Sequence, residues 1–177
     1  MFLTVKLVCN QVATMLTVSI LLLSGCDTKQ PVPRTSESMT IEPRLGVGPI
    51  KLGMPMDEVT AVLGDPEKRM GSSLLYLGLG FAIVPGRNNS VASIMVGDLD
   101  GGQPVEAFKG KTKGGLGLGA SYQEIIEAYG EPESRDGPVA ELTKREESRH
   151  GIKTLNYQSV NLTFTFREER LVSIWLQ

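Results

Sequence analysis

The sequence is poor in the residues that chemistry most often needs. Two cysteines, one histidine and one tryptophan occur among 177 residues, and each scarcity removes a class of function. Cys9 lies in the first apolar stretch and Cys26 just after it, so a chain cut before Cys26 keeps no pair from which to close a disulfide. Its fold has to hold by packing. His150, the single imidazole, sits in the charged run KREESRH, so neither a histidine metal pair nor a Cys–His dyad can be assembled. A Ser–His–acid triad would rest on that same solvated run, a poor platform for fixed geometry. Charge of one sign is missing too: 18 Lys and Arg stand against 20 Asp and Glu, without the basic surplus of a nucleic-acid partner. The apolar run at 12–23 is shorter than the roughly 20 residues a membrane-spanning helix requires. No catalytic constellation, cofactor site or metal site emerges from what remains.

What is present at the N-terminus reads as an export signal. Lys6 supplies a positive start, the apolar run follows, and it ends in Leu23, Ser24, Gly25 and Cys26. That quartet resembles the lipobox of bacterial lipoproteins, an aliphatic residue three before a cysteine with two small residues between. The resemblance implies a signal peptide over 1–25, a diacylglyceryl group on Cys26 and acylation of the new N-terminus. Multiple acyl chains then anchor the protein, each buried methylene adding about 0.8 kcal/mol. The expected location is the bacterial cell envelope, facing periplasm or exterior. Asp27 resembles the signal that retains such proteins in the inner membrane of enteric bacteria. The alternative is an ordinary secretory signal in which Cys26 is incidental. Residues 26–44, polar, aperiodic and holding three prolines, are expected to form a flexible tether, with folded structure beginning near Leu45.

One phrase is then said twice. LGMPMDEVTAVLGDP at 52–66 returns as LGASYQEIIEAYGEP at 118–132. Met56, Val59, Thr60 and Leu63 answer to Tyr122, Ile125, Ile126 and Tyr129, a spacing that puts one mostly apolar stripe on each of two short helices. Ser121 and Glu124 have capping-box spacing, and Pro55 takes the equivalent place in the first phrase. Gly64 and Gly130 supply a left-handed stop, and Pro66 and Pro132 prevent resumption. Helices this short need a sheet to lie on.

Strands follow each helix. LLYLGLGFAIV, a PGRNNS turn and VASIMV come after the first; TLNYQSVNLTFTF, a REER turn and LVSIWL come after the second. Leu162, Phe164 and Phe166 alternate with Asn161, Thr163 and Thr165, as in a half-buried strand. In the last strand Val172, Ile174 and Leu176 share one face against Leu171, Ser173 and Trp175. Their counterparts are Ala92, Ile94 and Val96 against Val91, Ser93 and Met95. The strands recur at a longer spacing than the helices, which puts an insertion at 134–150. The expected fold is α+β, with two tandem helix-plus-antiparallel-meander repeats, about 45–98 and 111–177, sharing a core. Two helices would lie on one face of a mostly antiparallel sheet.

The phrase LGM-x-x-x-EV-x-x-x-LG-x-P, followed by a tyrosine and a meander, resembles the repeat of β-lactamase-inhibitor-protein-like domains. It is similar also to the small outer-membrane lipoprotein of the β-barrel assembly machinery. The match covers 46–96 and, more loosely, 113–177; Pro55 and the insertion depart from the pattern. The resemblance implies a broad sheet whose open face grips a partner protein. In this sequence that face would carry Met95 and Trp175, with Thr163 and Thr165 nearby. Trp175 is then either a contact anchor or a cover over the sheet or beneath the insertion. The expectation is a non-enzymatic, membrane-anchored lipoprotein that binds another envelope protein or supports an assembly. The alternative is an inhibitor of a secreted or envelope hydrolase, presenting PGRNNS or the insertion.

Two further stretches suggest chemistry and lose it. GLGLGA at 115–120 fits a dinucleotide-binding pattern, but Pro49, Lys51 and Met54 occupy the matching places in the first copy, and no parallel βαβ unit surrounds it. GDLDGG at 97–102 offers two carboxylates where a calcium loop needs more oxygen ligands, and reads as a turn.

Overall fold

The computed structural model describes residues 35–98, 108–135 and 152–177. Residues 1–25, where the signal is expected, lie outside the described residues, as do Cys26, Asp27, most of the expected tether and His150. The architecture is α+β, with two helices, a seven-stranded antiparallel sheet and a mixed four-stranded one.

Helices α1 (Met56–Leu63) and α2 (Tyr122–Tyr129) form where the apolar spacing puts them. At α2, Ser121 Oγ accepts from the Glu124 amide at 3.2 Å, while the Ser121 amide donates to Glu124 Oε2 at 2.7 Å. Pro55 precedes α1 and makes no side-chain cap. Both helices end on glycine, but with a backbone other than the left-handed helical one expected. Gly64 has φ 83° and ψ −170°, and Gly130 has φ 79° and ψ −166°. That mirror-extended region is closed to residues with a Cβ.

The large sheet runs β4 (Lys68–Met70), β5 (Ser73–Tyr76), β6 (Phe81–Pro85), β7 (Val91–Gly97), β11 (Arg170–Leu176), β10 (Leu162–Arg167), β9 (Ile152–Tyr157). LLYLGLGFAIV and TLNYQSVNLTFTF each form two strands. A 3-10 turn at Leu77–Leu79 separates β5 from β6, and one at Gln158–Val160 separates β9 from β10. Left-handed residues close these turns, Gly80 at φ 75° and Asn161 at φ 53°. The faces also switch at the start of β7 and β11, where the pairing slips at Val84/Pro85 and Thr165/Phe166. Val91 and Leu171 therefore join the core, whereas Ala92 is exposed and Val172 half-buried.

Each helix is laced to its strands at both ends. Gly53 donates to the Val91 carbonyl and Val91 back to Met54, both at 2.8 Å; Gly119 and Leu171, then Leu171 and Ala120, repeat the exchange at 2.8 Å. At the other end the Tyr76 hydroxyl donates to the Gly64 carbonyl at 3.1 Å, and the Tyr157 hydroxyl to the Gly130 carbonyl at 2.7 Å. Glu67 accepts from the amides of Leu77 and Gly78, and Glu133 from those of Gln158 and Ser159. Val59, Leu63 and Ile125 from the helices and Ile94, Val96, Ile174 and Leu176 from the two central strands bury into one apolar cluster.

The expected tether ends too late. Met39 is 3% exposed and Ile41 fully buried, and β1 (Thr40–Glu42) pairs with both β2 (Gly46–Val47) and β8 (Lys111–Thr112). β3 (Ile50–Lys51) completes this small sheet. Ser36 Oγ accepts from the Lys109 amide at 2.9 Å, so folded structure begins by Ser36 rather than Leu45. A lone isoleucine between polar residues carries no periodicity, and one of its two partner strands, β8, lies far along the chain. The proposed insertion starts too early by one element as well. Ser134 bridges Asn156 in antiparallel fashion, while 136–150 lie outside the described residues.

Candidate protein-binding face

The seam between β7 and β11 joins Ile94 to Leu176, Met95 to Trp175, Val96 to Ile174 and Gly97 to Ser173. Ile94 and Ile174 are counterparts in sequence, as are Val96 and Leu176. Those pairs exchange partners across the seam, and Met95 meets its own counterpart.

Strand alternation points Ile94 and Val96 into the core and Met95 away from it. Register then builds a continuous row on the outer face: Lys68, Leu75, Ala82, Met95, Trp175, Thr163, Asn156. A parallel row holds Ser173, Thr165 and Thr154. All four residues expected on the binding face are together: Met95 opposite Trp175, Trp175 opposite Thr163, and Thr165 one pair further along β10. Each of the four is half-buried, so the face is less open than expected. Leu75 and Ala82, at 2% and 7% exposure, are buried outside the main cluster.

Trp175 adds an unusual feature. Its indole Nε1 is buried and, among the described residues, has no hydrogen-bond partner. An unpaired buried donor costs about 1–3 kcal/mol. Beside it a polar chain runs outward: Thr163 Oγ1 donates to Asn156 Oδ1 at 2.7 Å, and Asn156 Nδ2 donates to Ser134 Oγ at 3.3 Å. Sequence reasoning missed Asn156 and Ser134. The available signal was a buried-strand pattern carrying a polar residue directly before Tyr157.

The chemistry elsewhere is structural. Burial pushes the Tyr76 and Tyr157 hydroxyls up to about 12, keeping both protonated as donors at neutral pH. Glu133 is held below the ordinary carboxylate range by hydrogen bonds from Ser159, and Glu124 by those from Ser121. A cleft of about 450 Å³ between β1 and β8 is lined by Lys109, Lys111 and Lys113 together with Glu37 and Glu42. Lys113 lies 2.9 Å from Glu42 and Lys109 3.6 Å from Glu37, so much of its charge is neutralised internally. Hydrogen bonding to Lys113 depresses the Glu42 carboxyl. At 115–120 the amides of Gly115, Leu116, Gly119 and Ala120 are bonded within the fold. Among the described residues no three His, Cys, Asp or Glu side chains gather as a metal site. No helix among them is long and apolar enough to cross a membrane.

No family model matches the chain, and neither the curated proteins nor the solved structures contain a match to it.

Proposed function

We propose that this protein is a non-enzymatic lipoprotein of the bacterial envelope, anchored through Cys26, whose sheet face docks another envelope protein or supports an assembly. We also propose that its domain arose by doubling of one helix-plus-meander unit. The paired helix stops, tyrosine hydroxyl bonds, 3-10 turns and bulges support the doubling. The observation that carries the docking reading is the Met95–Trp175 pair, two large side chains at the centre of a sheet face turned away from the core. Aromatic and methionine side chains are enriched where protein interfaces concentrate their energy.

A photo-crosslinking residue at Met95, in chain expressed in its envelope, should give one discrete adduct. The same residue at Glu127, exposed on α2, should give none. Identical adducts at both positions, or none at Met95, would remove the docking face. Fatty-acid labelling should require Cys26, and a Cys26→Ser chain that still labels would remove the anchor. A second reading, inhibition of a secreted hydrolase, draws on the β6–β7 turn. Arg87, Asn88 and Asn89 are exposed there, and bonds between Gly86 and Ser90 (2.8 Å) and from Asn89 to Gly86 (3.1 Å) stiffen it. Unchanged rates across a panel of envelope hydrolases at micromolar protein would discard that reading.

A further inference from the structure

Where β9, β10 and β11 run out, the outer face ends in a cleft of about 220 Å³. Asn156, Gln158, Asn161, Thr163 and Gln177 supply its polar wall, and none of its lining residues is charged. Four residues with primary carboxamides and one threonine line one small space. Asn156 is only 4% exposed, and its bonds to Thr163 and Ser134 fix which way its amide points. Those bonds leave one Asn156 N–H and the Thr163 lone pairs unspent. Gln158, Asn161 and Gln177 are exposed around the rim.

The wall chemistry selects the ligand class. With no charged side chain lining the cleft, a phosphate or carboxylate group finds no cationic partner there. A carboxamide donates and accepts at once, as a hydroxyl does, so a ring bearing several hydroxyls can pair with each of these groups. A peptide strand is disfavoured at this place. The Asn156 amide donates to Ser134 at 2.9 Å, and its carbonyl accepts from Ser134 at 3.4 Å and Glu133 at 3.1 Å, so this edge offers no backbone for an added strand. The apolar side of the ligand has a place too, since Tyr157 and Leu162 complete the lining. The volume is below the roughly 300–1,000 Å³ of complete ligand pockets, which suits a single ring of a longer chain.

We propose that this cleft binds a neutral saccharide, one ring held by Asn156, Gln158, Asn161, Thr163 and Gln177. The site requires neither the lipid anchor nor a protein on the sheet face. Its test uses the chain's one tryptophan, paired across the sheet from the lining residue Thr163, as the reporter. The full chain is titrated with trisaccharides of glucose and of N-acetylglucosamine, and with a trimer of a uronic acid and an uncharged tripeptide as controls. Tryptophan emission and calorimetry are followed together, so that a spectrally silent ligand is still seen.

The expected result is saturable binding of a neutral trisaccharide in the millimolar range or tighter, with no binding of either control. The exposed-residue double variant Gln158→Ala, Gln177→Ala should weaken it by about tenfold or more with melting unchanged. If that variant melts early, Gln177→Ala alone carries the comparison. The proposal is overturned if no neutral saccharide saturates, if the tripeptide binds equally well, or if the variant retains full affinity. Loss of the Met95 adduct with saccharide binding intact would sink only the docking face, and the converse only this site.

Discussion

The two halves of the large sheet are alike inside and unlike outside. On the core side Ile83 answers to Phe164, Ile94 to Ile174, and the Tyr76 hydroxyl to that of Tyr157. On the outer face the row that reads Leu75 and Ala82 in the first half reads Asn156 and Thr163 in the second. The edges differ as well: the first half ends in a three-residue strand, β4, with every residue exposed, and the second in the Ser134–Asn156 bridge. Interior positions are constrained by packing density, so whatever distinguishes the halves functionally has to sit on the outer face. The saccharide cleft and the polar chain from Thr163 to Ser134 both fall on the second half alone.

The sharpest way to break this comparison is to damage one core and ask whether the other notices. Phe164→Ala should cost about 3–5 kcal/mol and Ile83→Ala about 2–5 kcal/mol. Because one cluster spans both halves, each variant should unfold in a single denaturant transition. Two transitions would mean independent halves. Next in size are the helix stops. Gly64→Ala and Gly130→Ala each force a Cβ into the mirror-extended region, at about 1–3 kcal/mol. No atom lies within 4 Å of either added Cβ, so the two thermal-melt losses should be equal and purely conformational.

The tyrosine pair gives a smaller effect and a pH signature. Tyr76→Phe and Tyr157→Phe should each cost about 0.5–1.5 kcal/mol in urea unfolding. Both hydroxyls ionise near 12 in the fold against about 10 in the unfolded chain, so the unfolded state sheds its protons first. Their contribution is complete below pH 10 and is lost as pH climbs to 12. The double variant should flatten that alkaline decline. The helix caps come last and should differ. Ser121→Ala removes the capping box at about 1 kcal/mol, whereas Pro55→Ala should cost no more than about 0.4–1 kcal/mol through the unfolded chain. Equal losses in thermal melts would show that the halves are more alike than their caps suggest.

The features legible in the sequence were those written within a few residues of each other. The stripe Met56–Val59–Leu63, the Ser121–Glu124 spacing and the β10 alternation each name their element locally. Alternation also put Met95 and Trp175 on corresponding faces; their direct pairing depends on the register of the seam, which no local pattern encodes. The small sheet stayed hidden because Ile41 buries between Val47 and Thr112, and Thr112 lies far along the chain. The bulges at Ala92 and Val172 hid the core membership of Val91 and Leu171. Asn156, Gln158, Asn161 and Gln177 come from two strand ends and a turn, so their meeting at one cleft is written nowhere in linear order.

The seam has a bearing on biogenesis. β11 is the last described strand in chain order yet lies beside β7 near the middle of the sheet, so during vectorial synthesis the β7 edge waits unpaired until β11 emerges. A nascent chain is therefore left with a sticky, half-made sheet while residues 98–169 are made. Shielding of that waiting edge by a chaperone would matter more to yield than any later property of the finished molecule.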